Sequence, residues 1–285
     1  MSNYDRLTGL ISSGDIELIH VEAVPRSIST ALARSLSESD TPSIYVNEPF
    51  NRMKHDIEDA SMRILDAVEH SQKDSPITVV SKNMARNISR SIFSEMMELS
   101  KGIVWSIRDP HVQISSLITR IANDLQYEPG ADVLTMEELT DDNIRQASEF
   151  LENGPKSTNF SKTSWYDMGQ HHMQLEASTI SVVVDGLELT EQPAKILRSA
   201  SHLLNLVFSD QMVNGWQGEF INANTGYNPN LTDGTHAWTK EAVISTGIKP
   251  SSQKTIDIGR IPESLQEHLM GIALPTYERM MAKVD

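Results

Sequence analysis

The sequence predicts an α/β fold with a central, mostly parallel sheet and helices on both faces. Five short apolar segments are typical of buried strands, and most of them alternate with segments of helical period. At 285 residues, with 39% hydrophobic and 22% charged residues, the chain is long and apolar enough to bury a large core. We therefore expect one α/β domain that spans residues 1–285.

The predicted strands are short apolar runs, namely Ile16–Glu22, Ser43–Val46, Ile77–Val80, Ile103–Ile107 and Thr179–Val184. The predicted helices repeat their apolar residues with helical spacing and are Ser29–Ser37, Ile57–His70, Met84–Leu99, Val112–Leu125, Met136–Leu151, Ser164–Leu175, Pro193–Leu204 and Ile261–Met281. Residues from about 126 to 175 are predicted to form a helical insertion, and residues from about 211 to 250 a loop-rich cover.

Composition and charge exclude several classes of function. A formal net charge of −15 repels the phosphate backbone of nucleic acids, so we expect no nucleic-acid partner. The N-terminal segment is polar and no apolar run is long enough to span a bilayer, which predicts a cytoplasmic protein without a membrane partner. The absence of cysteine excludes disulfides, thiol nucleophiles and thiolate metal sites. The oligomeric state stays open.

A metal site is not expected. The adjacent His171 and His172 would not share one face of a helix, so we interpret them as a solvated pair. The string G-x-x-x-x-G-K-[ST] is also absent, which counts against hydrolysis of a nucleoside triphosphate.

Residues 21–32, VEAVPRSISTAL, predict a turn between the first strand and the following helix. Pro25 cannot extend a central ladder, and the candidate helix caps are Ser27, Ser29 and Thr30. The first amides of a helix lack partners and favour negative charge, so a phosphate or sulfate would fit here beside Arg26. The alternative is a plain capped turn with an exposed arginine.

Polar residues follow the other predicted strands as well. Glu48 comes after the second strand, Lys82 and Arg86 after the third, and Arg108 after the fourth. Ligands of open α/β sheets bind outside the carboxyl ends of the strands, so these side chains are expected to share one edge with the turn.

The strings PRSISTAL, YVNEPF, VVSKNM and SIRDPHVQISSL resemble the P-loop sulfotransferases that use 3′-phosphoadenosine 5′-phosphosulfate (PAPS). The resemblance covers about residues 16–125 and extends weakly to VVVDGLELTEQPAKILRSASHLLNL. Its most specific part is Arg108 followed eight residues later by Ser116. It implies a three-layer P-loop-type fold whose helical insertion forms the acceptor side.

The resemblance also implies roles. Arg26, Ser27, Ile28, Ser29 and Thr30 would hold the 5′-phosphosulfate of PAPS. Its remaining nucleotide contacts would come from Arg108 and Ser116 on the 3′-phosphate, and from Trp238 and Lys240 in a segment over the nucleotide. The plainer interpretation of the last two is a core tryptophan beside an exposed lysine. Many family members have glycine at the position of Ile28, and because β-branched residues disfavour positive φ, we expect a helical or extended backbone there.

For catalysis, the resemblance implies that Glu48 removes the proton from a hydroxyl or amine of a small-molecule acceptor. Arg26 would stabilise the leaving phosphate. Lys82 would contact the transferring sulfonate or the acceptor, and the alternative is that Lys82 belongs to a solvated helix start. Glu48 is alternatively a simple ion-pair partner of Arg26 or Lys82. Two other functions stay open, namely a small-molecule kinase of the P-loop class and a catalytically silent nucleotide-binding or scaffold protein.

Overall fold

The structure, a computed structural model, describes residues 1–50, 56–71, 74–126, 133–153, 162–175, 179–216, 245–251 and 253–282. Its five strands are β1 (Ile16–Ala23), β2 (Ser43–Asn47), β3 (Ile77–Met84), β4 (Ser100–Ile107) and β5 (Ser181–Asp185). They form one sheet in the order β2-β3-β1-β4-β5, and every pairing is parallel. The predicted α/β class is confirmed, and so are all five predicted strands.

The α-helices of the described chain are α1 (Asn3–Ser12), α2 (Ser29–Ser37), α3 (Ile57–His70), α4 (Arg90–Leu99), α5 (Pro110–Leu125), α6 (Asp141–Asn153), α7 (Lys162–Gln174), α8 (Gly186–Glu191), α9 (Pro193–Leu203), α10 (Glu263–His268) and α11 (Leu274–Met281). Their first residues follow from local chemistry. Helix α5 begins at Pro110, whose missing N–H costs nothing in a first turn. The Asp109 carboxylate caps this helix by accepting hydrogen bonds from the N–H groups of His111 and Val112.

Apolar clusters cover both faces of the sheet. On one face Leu18, Phe93 and Trp105 pack with residues of α1, α3, α4 and α7, and on the other Val21 and Leu32 pack with residues of α2 and α9. Burial of both faces explains why the strands are nearly continuous apolar runs.

Two predicted helices begin later than expected. The predicted helix Met84–Leu99 starts only at Arg90, because β3 continues in register with β1 as far as Met84 and a 3₁₀ turn, Ala85–Asn87, follows it. The predicted helix Met136–Leu151 is a 3₁₀ turn, Met136–Glu138, followed by α6. The predicted helix Ile261–Met281 is confirmed, since α10 and α11 continue into each other through a π segment, Leu269–Ala273.

Strand β1 lies at the centre of the sheet. From β1 the chain runs to β2 at one edge, returns through β3 and then crosses to β4 and β5 on the other side. Such a reversal of strand order leaves a crevice at the carboxyl ends, which here lies at the turn after β1. The described part of residues 126–175 carries α6 and α7, and their assignment as an insertion stays a prediction. Much of the predicted cover, residues 217–244, lies outside the described residues, and Trp238 and Lys240 lie there. None of the described helices has the length and hydropathy needed to cross a membrane.

Candidate active site

The turn after β1, residues 25–30 (PRSIST), is the most unusual piece of backbone in the described chain. Arg26 and Ile28 both have left-handed backbone, with φ of 65° and 68°. The expected helical or extended conformation at Ile28 is therefore wrong. Left-handed conformations cost a β-branched residue free energy and persist only where tertiary contacts determine them, which is common at functional sites.

Packing explains how Ile28 keeps this conformation. Its side chain packs against the apolar cluster on the α2 side of the sheet. On the other side lies Gly186, the first residue of α8, where an added Cβ would stand 2.9 Å from the Ser27 carbonyl oxygen and 3.2 Å from Ile28 Cδ1. Ile28 also occupies the cap position of α2 without a side-chain cap bond, which corrects the predicted serine or threonine cap. The Ser27 hydroxyl instead donates to the Val24 carbonyl at 2.8 Å.

Three consecutive carbonyl groups of this turn, those of Pro25, Arg26 and Ser27, are each held by a side chain from β4, α5 or the link between them. The donors are, in that order, Gln113 Nε2 at 2.8 Å, Arg108 Nη1 at 3.3 Å and Ser106 Oγ at 3.1 Å. In a trans peptide the C=O and the next N–H point in opposite directions, so these bonds also fix the N–H groups of Arg26, Ser27 and Ile28.

Two of these N–H groups are available to a ligand. Within the described part of the chain, the amides of Arg26 and Ile28 have no hydrogen-bond acceptor, whereas the Ser27 amide closes a turn on the Val24 carbonyl. The left-handed residues Arg26 and Ile28 flank Ser27, which is not left-handed, and such alternation produces the concave backbone that binds anions. Helix α2 begins directly after this turn, at Ser29. The turn therefore has the backbone geometry that oxyanion and phosphate sites use.

Cationic side chains cluster beside the turn. Arg26 Nε donates to Ser116 Oγ at 3.1 Å, and Arg108 Nη2 donates to Ser251 Oγ at 2.8 Å. Burial, together with the charges of Arg120 and Arg108, lowers the pKa of Arg26 to about 10. Gathering like charges costs free energy that a bound polyanion would recover. The structure thus brings together the Arg26, Arg108 and Ser116 that the sequence placed in two separate phosphate sites.

Glu48 and Lys82 form an ion pair at the neighbouring strand ends. Lys82 Nζ lies 2.5 Å from Glu48 Oε1, with 1% of the Lys82 side chain and 13% of the Glu48 side chain exposed. Glu48 has a left-handed φ of 48°, and its N–H donates to the Lys82 carbonyl at 2.6 Å, so backbone and side chain are both held. Burial lowers the pKa of nearby Arg86 to about 10, an effect that the Glu48 charge opposes.

Comparison with known proteins gives matches among solved structures alone. No protein-family model matches the chain, and no curated protein sequence matches it. Similar solved structures include mouse sulfotransferase SULT7A1 complexed with PAP, at 15% identity over 72% of this chain and 65% of that chain, with a TM-score of 0.42. The solved structures it resembles are sulfotransferases.

Two further sulfotransferase structures match most of the chain. The sulfotransferase domain from the curacin biosynthetic pathway shows 18% identity over 94% of this chain and 97% of its own, with a TM-score of 0.44. The sulfotransferase domain from the Synechococcus PCC 7002 olefin synthase shows 12% identity over 93% and 96%, with a TM-score of 0.47. At these identities and TM-scores the three likenesses support no residue role, and residue roles rest on the geometry of this chain.

The remaining predicted sulfotransferase residues stay predictions. Ser29 is buried and Thr30 half-buried in the first turn of α2, next to the anion site. Sequence reasoning missed Ser106, Gln113 and Gly186, which hold or border the turn. The first two lie within the string SIRDPHVQISSL, so a search for polar side chains around Arg108 would have found them.

The interpretation of His171 and His172 as a solvated pair is wrong. Both are buried, because α7 packs against β1 and His171 Nδ1 lies 2.5 Å from Glu22 Oε1 inside the core. His172 lies edge-on to Trp105. Among the described residues, no group of three histidine or acidic side chains is arranged to hold a metal ion.

Gly186→Ala should destabilise the protein, because the new methyl group would meet the Ser27 carbonyl at 2.9 Å. Overpacking against backbone costs about 1–3 kcal/mol, and we expect that loss in the free energy of unfolding measured in urea. Gly9→Ala is the matched control, since nothing lies within 4 Å of its new Cβ in α1. Equal stability of Gly186→Ala and the wild type would mean that close approach at Gly186 does not hold the turn.

Proposed function

We propose that this protein is a sulfotransferase that moves a sulfuryl group from PAPS to a hydroxyl or amine of a small-molecule acceptor. The observation that carries the proposal is the anion site at residues 25–30, where three side chains fix three consecutive peptide groups beside buried Arg108 and half-buried Arg26. Arg26 and Arg108 give the site two adjacent cationic regions, which suit a donor with phosphates at both ends of its ribose.

In this proposal the amides of Arg26 and Ile28 and the Arg26 guanidinium hold the 5′-phosphosulfate. Ser29 and Thr30 add hydroxyl donors from the first turn of α2. Arg108 and Ser116 hold the 3′-phosphate, and binding moves Ser116 from its bond with Arg26 to the ligand. Charge-assisted bonds of this kind are about twice as strong as bonds between neutral groups.

The acceptor oxygen or nitrogen forms a bond to sulfur while the bond from sulfur to the 5′-phosphate oxygen breaks. The electron pair of that bond stays on the phosphate, where Arg26 and the loop amides stabilise the developing charge. Glu48 accepts the acceptor's proton, and the Lys82 ammonium, 2.5 Å from Glu48, orients this carboxylate and lies beside the sulfonate. This proposal assigns every step to side chains of this chain and requires no metal.

Transfer of label from PAPS tests the proposal. Purified protein is incubated with sulfur-labelled PAPS and a panel of phenols, alcohols and amines, and labelled products and PAP are separated by chromatography. We expect PAP and a labelled acceptor in equal amounts. Transfer of the terminal phosphate of ATP to the same acceptors would instead favour the kinase, and PAP binding without turnover would favour the silent scaffold. The cytoplasmic location stays a prediction.

A further inference from the structure

The Gln113 side chain forms a junction between the anion site and helix α7, and the proposed chemistry does not use this junction. It is buried on α5, and its amide bonds in two directions. Nε2 donates to the Pro25 carbonyl at 2.8 Å, and Oε1 accepts from Trp165 Nε1 at 3.2 Å. A carbonyl can only accept and an indole N–H can only donate, so the orientation of this amide is fixed.

The Trp165 end of the junction belongs to α7, the helix of the insertion that packs against the sheet. Trp165 is fully buried, and its ring meets Tyr277 edge-on at 6.3 Å. Helix α7 also packs against the turn Ala85–Asn87, whose Arg86 interacts electrostatically with Glu48. The position of α7 is therefore tied to the region beside Glu48, where the proposed function places the acceptor.

The Pro25 end of the junction belongs to the anion site. The peptide between Pro25 and Arg26 is the first of the three fixed peptides, and it leads into left-handed Arg26. Without the Gln113 bond the Arg26 N–H would no longer be held in one direction. The bonds to the Arg26 and Ser27 carbonyls would stay in place.

We propose that Gln113 is a positioning residue that couples the docking of α7 to the anion-binding geometry of residues 25–30. The inference rests on the proposed function, because its effect is read in nucleotide affinity. Gln113 does not touch the nucleotide in this scheme. It acts through the Pro25 carbonyl alone.

Gln113→Glu gives a sharp test, because a carboxylate still accepts from Trp165 but repels the Pro25 carbonyl. At pH 8 we expect the Kd for PAP, measured by calorimetry, to rise about tenfold. Burial raises the pKa of such a carboxyl, and once protonated it regains a donor for Pro25. The gap between variant and wild type should therefore shrink to about threefold at pH 5. Because the new carboxylate would also repel PAP directly until it is protonated, Trp165→Phe, which adds no charge, is measured beside it.

Asn123→Asp is the matched control. Asn123 is an amide on the same helix that also bridges two groups, the N–H and C=O of Leu134, at 2.7 and 3.0 Å, but it does not touch the turn. Its PAP affinity should stay within about twofold of the wild type at both pH values. Circular dichroism confirms that each variant is folded at the temperature of the titration.

Trp165→Phe keeps the ring but removes the donor to Gln113, and serves if Gln113→Glu fails to fold. We expect about a threefold loss of PAP affinity. Suppose that the wild type binds PAP and that a folded variant, either Gln113→Glu or Trp165→Phe, binds it equally tightly. That result would overturn the role of Gln113 and leave the proposed function intact. A wild type that does not bind PAP would overturn both.

Discussion

Replacing Glu48 by glutamine should lower kcat for sulfuryl transfer by about 10²–10⁴-fold, the usual contribution of a general base. The amide keeps an oxygen for the Lys82 ammonium, which now lies 2.5 Å from Glu48 Oε1, so the local structure should persist. The Kd for PAP should stay within about twofold, because Glu48 contacts the acceptor rather than the nucleotide in the proposed scheme. Steady-state kinetics and calorimetry on the same preparation separate these two effects.

Glu17→Gln is the control for that experiment. Glu17 also pairs with a lysine, Lys101, at 2.6 Å, but it lies at the start of β1, at the opposite end of the strand from the anion site. Its kcat should match the wild type. If Glu48→Gln lost turnover and PAP affinity to the same extent, Glu48 would be a structural ion-pair partner and another group would have to be the base.

Replacing Glu22 by glutamine should cause the largest loss of stability. Glu22 is fully buried on β1 and contacts two buried histidines, His171 at 2.5 Å and His20 at 3.2 Å. Phe93 stacks on the His171 ring at 4.4 Å. Removing one member of a buried charge pair typically costs about 3–5 kcal/mol, and we expect a loss of about 3 kcal/mol in the free energy of unfolding near pH 6.

The pH dependence gives this prediction its sign. Burial alone would raise the pKa of Glu22, but the His171 charge and bonds from both histidines lower it from 4.5 to about 2. The resulting stability is present above pH 4.5 and is lost as the pH falls toward 2. Burial alone would lower the pKa of His171, but Glu22 raises it above 6.5. That contribution is present below pH 6.5 and is lost as the pH rises through the folded-state value.

In Glu22→Gln the alkaline trend should reverse. Without the carboxylate, burial is the main influence on the His171 pKa and lowers it, so the folded state prefers neutral histidine and gains stability as the pH rises through 6.5. Urea unfolding at pH 5, 6, 7 and 8 measures the trend. Glu69→Gln, which breaks the exposed pair of Glu69 with Arg6, is the control and should change stability by less than about 1 kcal/mol. A parallel pH profile for Glu22→Gln and the wild type would contradict the proposed charge pair.

The strands were predictable because burial of both sheet faces leaves a direct apolar signal in segments such as Ile16–Glu22. The end of β3 was not. Ser81, Lys82 and Asn83 look like the polar end of a strand, yet they continue in register with β1 because their polar groups find partners, such as Glu48 for Lys82. A partner 34 residues away in sequence leaves no local signal.

The candidate site, like the strands, was predictable from the sequence only in part. The residues that gather at the strand ends followed from the order of motifs along the chain, as with Arg26, Arg108 and Ser116. The backbone of Ile28 did not, because its left-handed conformation contradicts local preference and depends on packing against the α2-side cluster and Gly186. Tertiary contacts override local conformational propensity most strongly where they hold the backbone in the conformation that binds a ligand.

The central claim is that this edge of the sheet binds a nucleotide with phosphates at both ends of its ribose. Calorimetry of the wild type with PAP and with 5′-AMP tests it most directly, since the two ligands differ by the 3′-phosphate assigned to Arg108 and Ser116. We expect PAP to bind on the order of 100-fold more tightly, and Arg108→Ala to lose most of that preference. Equal affinity of the wild type for the two nucleotides, or tighter binding of ATP than of PAP, would contradict the claim.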